Sequence, residues 1–108
     1  MTVRDHRAVV WSVVVAAGSG ERFGGDKQAA DLAGQPVVVR SVRAAASVSD
    51  GVVVVVDAGR RSAMVDLLAG LDGVEAVVAG GDTRSASVRC GLAAVPADAE
   101  VVLVHDGA

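Results

Sequence analysis

The apolar residues gather into four short runs, at 9–17, 52–56, 74–79 and 101–104, with mixed stretches between them. The runs are β-branched and continuous rather than alternating. That predicts strands covered on both faces, as in parallel sheets. Between the first two runs, Val38, Val42 and Ala45 mark one helical stripe and Arg40, Arg43 and Ser47 the opposite one. The spacing predicts a helix over 36–47 with Pro36 in its first turn. Met64, Leu67, Leu68 and Leu71 predict a second helix, stopped by Gly73. Val88, Leu92 and Val95 predict a third, ending before Pro96. The order β-α-β-α-β-α-β, with short connections, predicts a doubly wound, mostly parallel α/β sheet of Rossmann-like architecture. Residues 1–108 read as a single unit with no linker or repeat. The sequence stops two residues past Asp106, just after the fourth strand, where such a unit ordinarily continues with a covering helix. The expectation is therefore the front part of a longer domain, truncated after its fourth strand.

Composition narrows the function. Valine (25) and alanine (20) dominate, Ile, Asn and Tyr are absent, and arginine outnumbers lysine nine to one. That is the residue usage of a GC-rich coding sequence, and it singles out the lone Lys27 as an exception. With 52% apolar and 21% charged residues the chain is not disordered. A net charge of −3 and a near absence of aromatics argue against a nucleic-acid partner. Cys90, the one cysteine, can form neither an internal disulfide nor a cysteine-based zinc site, which suits a reducing, cytoplasmic setting. Arg4, His6 and Arg7 before the apolar run 8–17 imitate a signal peptide. The run is short and passes directly into a glycine-rich loop, so a buried strand is the better reading. No stretch reaches the ~18 apolar residues of a membrane helix.

Polar chemistry gathers where an open parallel sheet binds its ligands, outside the carboxyl ends of the strands. After the first run come Gly18, Ser19, Gly20, Glu21, Arg22, Phe23, Gly24, Gly25, Asp26, Lys27 and Gln28. After the third come Gly80, Gly81, Asp82, Thr83 and Arg84, and after the fourth His105, Asp106 and Gly107. The first loop has the composition of a phosphate cradle, with glycines for close backbone approach and Arg22 and Lys27 as cationic donors. It is neither a Walker loop nor the standard dinucleotide fingerprint, because Asp26, Gln28 and Phe23 occupy the wrong positions. A plain tight turn is the alternative, and the two cations weigh against it. Gly80 to Asp82 could read a base edge, or serve only as a helix entry capped by Asp82 or Thr83. Arg84 and Ser87, three apart, fall on one side of the first helical turns. Asp106 suits a Mg²⁺ ligand beside a triphosphate, with a turn aspartate as the alternative. His105 reads as structural, since no nucleophile–base set accompanies it.

Taken together, the stretches 16–22, 26–28, 80–88 and 103–108 resemble the 2-C-methyl-D-erythritol 4-phosphate cytidylyltransferases of the nonmevalonate isoprenoid pathway. The likeness runs from about Val9 to the last residue, with all four motifs in order. The resemblance implies a nucleotidyltransferase sheet that joins CTP to methylerythritol phosphate, with Mg²⁺ as cofactor and a homodimer as the full-length assembly. It implies Arg22 and Lys27 as the catalytic cations at the α-phosphate and Gly18, Ser19 and Gly20 as the triphosphate loop. Ala16, Ala17, Gly81, Asp82 and Ser87 would line the cytosine and ribose pocket, and Asp106 would hold the metal. Two departures stand out: Asp26 where the family has proline, and Ala29 where it has a bulkier residue. The residues for the acceptor phosphate and the dimerising arm would lie beyond Ala108.

Competing readings are a ribitol 5-phosphate cytidylyltransferase, an inactive remnant, and an NAD-binding oxidoreductase module with Asp57 on the ribose. The last is disfavoured because Asp57 lies 37 positions after Gly20, against about 20 in that fingerprint.

Overall fold

The computed structural model describes residues 8–17, 31–32 and 35–107. Four strands form one parallel sheet: β1 (Val10–Val15), β4 (Gly51–Val56), β5 (Val74–Ala79) and β6 (Val101–Asp106), in the order β5-β4-β1-β6. Strand β1 is flanked by β4 (Val13 opposite Val53) and by β6 (Val13 opposite Val104). Two-residue strands β2 (Asp31–Leu32) and β3 (Gln35–Pro36) pair antiparallel in a separate ladder. Three helices complete the chain: α1 (Val37–Ala46), α2 (Arg61–Leu68) after a 3-10 turn (Ala58–Arg60), and α3 (Arg84–Ala93).

After β1 the chain moves one way, to β4 and β5, and then crosses back over to β6. Keeping one crossover hand through that reversal puts the helices on opposite faces of the sheet. The side chains follow. On one face Val14, Val52, Val54 and Val56 pack with Val38, Val42 and Ala45 of α1 and Met64 and Leu68 of α2. On the other, Val13, Val15, Val53 and Val55 meet Val88 of α3 and Ala94 and Val95 just after it. The alternation of strand side chains thus divides one valine-rich sheet between two cores.

Several expectations need correction. Pro36 ends the short ladder with Asp31 instead of opening α1, so the helix starts one residue later. Helix α2 begins at Arg61 and is over by Leu68, while Gly73, at φ 94°, turns the chain into β5. Leu67 and Leu92 were expected on buried stripes, yet both are exposed. In α3 the buried positions are Ser87 and Gly91. A Cβ at Gly91 would stand 2.4 Å from Val13 Cγ1 and 2.8 Å from Val55 Cγ2. Helix α3 therefore lies against β1 and β4 through small residues, closer than a leucine stripe allows. The stripe expected on α1 is observed, with Val38, Val42 and Ala45 buried and Arg40, Arg43 and Ser47 exposed.

Candidate functional site

The carboxyl ends of β1, β4, β5 and β6 share one edge of the sheet, and β1 with β6 straddle the switch point of the strand order. At the end of β1, Ala16 is buried and its N–H donates to the Val55 carbonyl at 2.7 Å. The chain leaving β5 passes directly over this point. Gly80 N–H donates to the Val56 carbonyl at 2.8 Å, and a Cβ at Gly80 would stand 2.5 Å from Ser87 Oγ and 3.0 Å from Ala17 Cβ. Only a residue without a side chain fits between them. Ala16, Ala17, Gly81 and Ser87, expected to form one pocket, are thus brought together.

Ser87 does more here than line a surface. It is 2% exposed, and its Oγ accepts from Gly81 N–H at 3.1 Å while lying 3.4 Å from the Gly81 carbonyl. The hydroxyl pins the glycine turn to the helix that follows. Thr83, not Asp82, caps α3: its Oγ1 accepts from Ala86 N–H at 3.0 Å. Asp82 remains exposed on the turn, available to an incoming polar group.

Asp106 ends β6, and Gly107 N–H continues the ladder by donating to the Val15 carbonyl at 2.9 Å. Arg84 Nη2 donates to Asp106 Oδ1 at 2.8 Å, with the two side chains 58% and 68% exposed. Spacing along the chain could not reveal this pair, because the partners are 22 residues apart. Arg84 and Ser87 start from neighbouring helical positions but do different work, one reaching β6 and the other holding Gly81.

Asp106 presents one exposed carboxylate, paired with Arg84, at the strand end. Mg²⁺ keeps several waters and takes one or two carboxylates alongside substrate phosphates. Among the described residues no group of three or more His, Cys, Asp and Glu assembles into a closed metal cage. An exposed carboxylate at the strand end suits such shared coordination.

His105 lies on the opposite face of β6 from Asp106. Its Nε2 is 3.2 Å from the Oγ of fully buried Ser12, which in turn lies 2.5 Å from Ser49 Oγ. This cluster ties β6 to β1 and to the turn between α1 and β4, in keeping with a structural histidine. Asp57, at the end of β4, leads into the 3-10 turn, where Arg60 N–H donates to its carbonyl at 2.8 Å. A cavity of about 480 Å³ lined by Arg43, Ser47, Leu71 and Asp72 lies by the amino ends of β4 and β5, away from the site. Gly18, Ser19, Gly20, Arg22 and Lys27, and with them Asp26 and Ala29, lie outside the described residues. Among the described residues no helix is long and apolar enough to cross a membrane.

The architecture is a Rossmann-like α/β sheet whose glycine turn, capped helix start and acidic strand end converge on its carboxyl edge. The model of the family described as IspD, 2-C-methyl-D-erythritol 4-phosphate cytidylyltransferase, matches residues 10–108, and the chain belongs to that family. It is 46% identical over 108 residues to a bifunctional enzyme IspD/IspF of Anaeromyxobacter dehalogenans, a match covering 98% of this chain and 27% of the relative. It is 45% identical to the 2-C-methyl-D-erythritol 4-phosphate cytidylyltransferase of Pelotomaculum thermopropionicum, covering 92% of this chain and 44% of that one. In fold it is similar to the crystal structure of 4-diphosphocytidyl-2C-methyl-D-erythritol synthase from Anaerococcus prevotii. There the TM-score is 0.73 at 24% identity, over 93% of this chain and 43% of the other. The chain spans less than half the length of these relatives. Membership of a cytidylyltransferase family takes precedence over the oxidoreductase reading of Asp57.

Proposed function

We propose that residues 1–108 form the nucleotide-binding part of a cytidylyltransferase that transfers CMP from CTP to 2-C-methyl-D-erythritol 4-phosphate. The observation that carries this reading is the convergence of Ala16, Ala17, Gly81, Ser87 and Asp106 on one sheet edge, in a chain of this family. In the reaction an oxygen of the acceptor phosphate attacks the α-phosphorus of CTP. A new P–O bond forms, the bond to the β-phosphate oxygen breaks, and pyrophosphate leaves with the electron pair. Such chemistry needs positioning and charge neutralisation, not a covalent nucleophile.

The roles divide accordingly. Backbone groups of Gly18, Ser19 and Gly20 receive the triphosphate, and Arg22 and Lys27 balance the charge that grows around the α-phosphate. Ala16 and Ala17 offer a small apolar floor to the nucleoside, while Gly81 and Asp82 present backbone and carboxylate groups to its polar edge. Asp106 would hold a Mg²⁺ ion, which supplies further charge neutralisation when bound. In this reading the enzyme works in the cytoplasm as a homodimer, and the groups that hold the acceptor lie outside these residues.

Titration of the chain with CTP and Mg²⁺, set against NADH, tests the proposal. Saturable CTP binding is expected, with no response to NADH. Lys27→Ala should weaken CTP binding about 10- to 100-fold, as a hydrogen bond to a charged group contributes about 1.5–3 kcal/mol. Unchanged affinity in that variant would sink the role of Lys27, and saturable NADH binding without CTP binding would sink the whole reading.

A further inference from the structure

We propose that Arg84 is the resident counter-ion of Asp106, held on its carboxylate until a divalent cation displaces it. The inference rests on the reading of Asp106 as a cation-facing carboxylate, and it adds a positioning residue to that site.

The placement of the pair carries the argument. In the order β5-β4-β1-β6, β5 and β6 are the outermost strands. Arg84 is the first residue of the helix that leaves β5, and Asp106 is the last residue of β6. Their contact therefore links the segment that leaves β5 to the end of β6 on the carboxyl edge of the sheet. A side chain there can leave Asp106 and still lie on the edge that carries Gly81 and Ser87.

The pair is also built to open. A single Nη2–Oδ1 contact at 2.8 Å holds it, and both side chains are more than half exposed. An ion pair of that kind shifts an equilibrium by at most about fivefold, equivalent to about 1 kcal/mol. As a brace between α3 and β6 it would therefore contribute little. As an occupant of the carboxylate it matters, because the oxygen facing Arg84 cannot be given fully to a cation while the guanidinium is there.

The test is Mn²⁺ titration of the chain saturated with CTP, followed by electron paramagnetic resonance, in wild type, Arg84→Gln, Arg84→Lys and Asp106→Asn. Arg84→Gln should bind Mn²⁺ about three- to fivefold more tightly than wild type. Arg84→Lys, which keeps the charge, should stay near wild type, and Asp106→Asn should weaken binding. A purely structural role for Arg84 would not tighten metal binding. Unchanged or weaker binding in Arg84→Gln overturns the proposal, as does the absence of any Asp106-dependent binding in both proteins. Failure of CTP to bind overturns both readings, since the shared site needs its phosphates, whereas CTP binding with unchanged Mn²⁺ affinity in Arg84→Gln overturns the role of Arg84 alone.

Discussion

Strands β4 and β6 both flank β1, both pair with it in parallel, and both are runs of valine, yet they live in opposite surroundings. All six residues of β4 are buried, whereas Val101, Leu103 and Val104 of β6 are 37–43% exposed. What lies beyond each strand makes the difference. Beyond β4 stands β5, and both of its faces are covered, by α1 and α2 on one side and α3 on the other. Beyond β6 no further strand pairs among the described residues. Since Gly107 N–H turns to β1, the backbone groups of Val102, Val104 and Asp106 face the open side. The other outer strand, β5, shows how an edge is blunted. Its outward Val77 carbonyl accepts from Arg61 Nε at 2.7 Å, and the charged Glu75 interrupts the apolar run. Apolar sequence makes a strand; its neighbours decide whether the strand is core. Among the described residues the site shares this asymmetry, with Gly80 to Ser87 on the β5 side and an exposed Asp106 on the other.

The sharpest way to break the comparison is to place a charge in each strand at a matched depth. Val53→Asp, opposite Val13 as Val104 is, would bury an unpaired carboxylate at a position with no solvent exposure. It is expected to cost about 4 kcal/mol or more, a large part of the 5–15 kcal/mol that holds a typical domain together. The cooperative urea transition followed by circular dichroism should be lost. Val104→Asp, on the exposed strand, should shift stability by no more than about 1 kcal/mol. Similar losses in both variants would show that β4 and β6 are not different in kind.

A smaller effect probes how β4 and β1 are sealed on the α3 face. Gly91→Ala drives a methyl group to within 2.4 Å of Val13 Cγ1, in a side chain with no exposure. Overpacking of this sort costs about 1–3 kcal/mol, and the better helix propensity of alanine returns about 1 kcal/mol. A net loss of up to about 2 kcal/mol in thermal or urea unfolding is expected. A stabilised variant would mean that α3 rides further from the sheet than the contact distances indicate.

These two positions also explain what the sequence made legible. All four parallel strands were found from their valine runs, because β-branched residues in continuous series fit few other environments. The face of α1 was found for the same reason, since Val38, Val42 and Ala45 alternate cleanly with charges. Helix α3 misled because its contact surface is made of Ser87 and Gly91. Small residues in close approach leave no hydrophobic signal, so Leu92 drew the attention instead. The short β2–β3 ladder was missed because two-residue strands have no periodicity to read. At the site, the glycine turn and the acidic strand end announced themselves by residue type. The hydrogen bond that commits Ser87 to Gly81, and the ion pair between Arg84 and Asp106, depend on where crossovers deliver the chain. No local pattern encodes that.

The smallest expected change in stability belongs to Val104→Lys, and it tests what an open edge does. Val104 is 43% exposed, and its own backbone groups point away from β1. A lysine there should alter unfolding by no more than about 0.5 kcal/mol, since its stem can lie along the strand while the ammonium stays in water. Its effect on association should be far larger. Unpaired strand edges with apolar side chains recruit other strands, and a lysine on the edge is a common natural device against that. Sedimentation velocity over a concentration series should therefore show less self-association in Val104→Lys than in wild type, at nearly equal stability. The equivalent change on the protected edge, Val78→Lys in β5, offers the contrast. Val78 packs with the α3-face core, so that variant should lose stability and gain nothing in solubility. If instead Val104→Lys destabilised the fold as much as Val78→Lys, the open side of β6 would be covered in solution, and its resemblance to β4 would be closer than its exposure suggests.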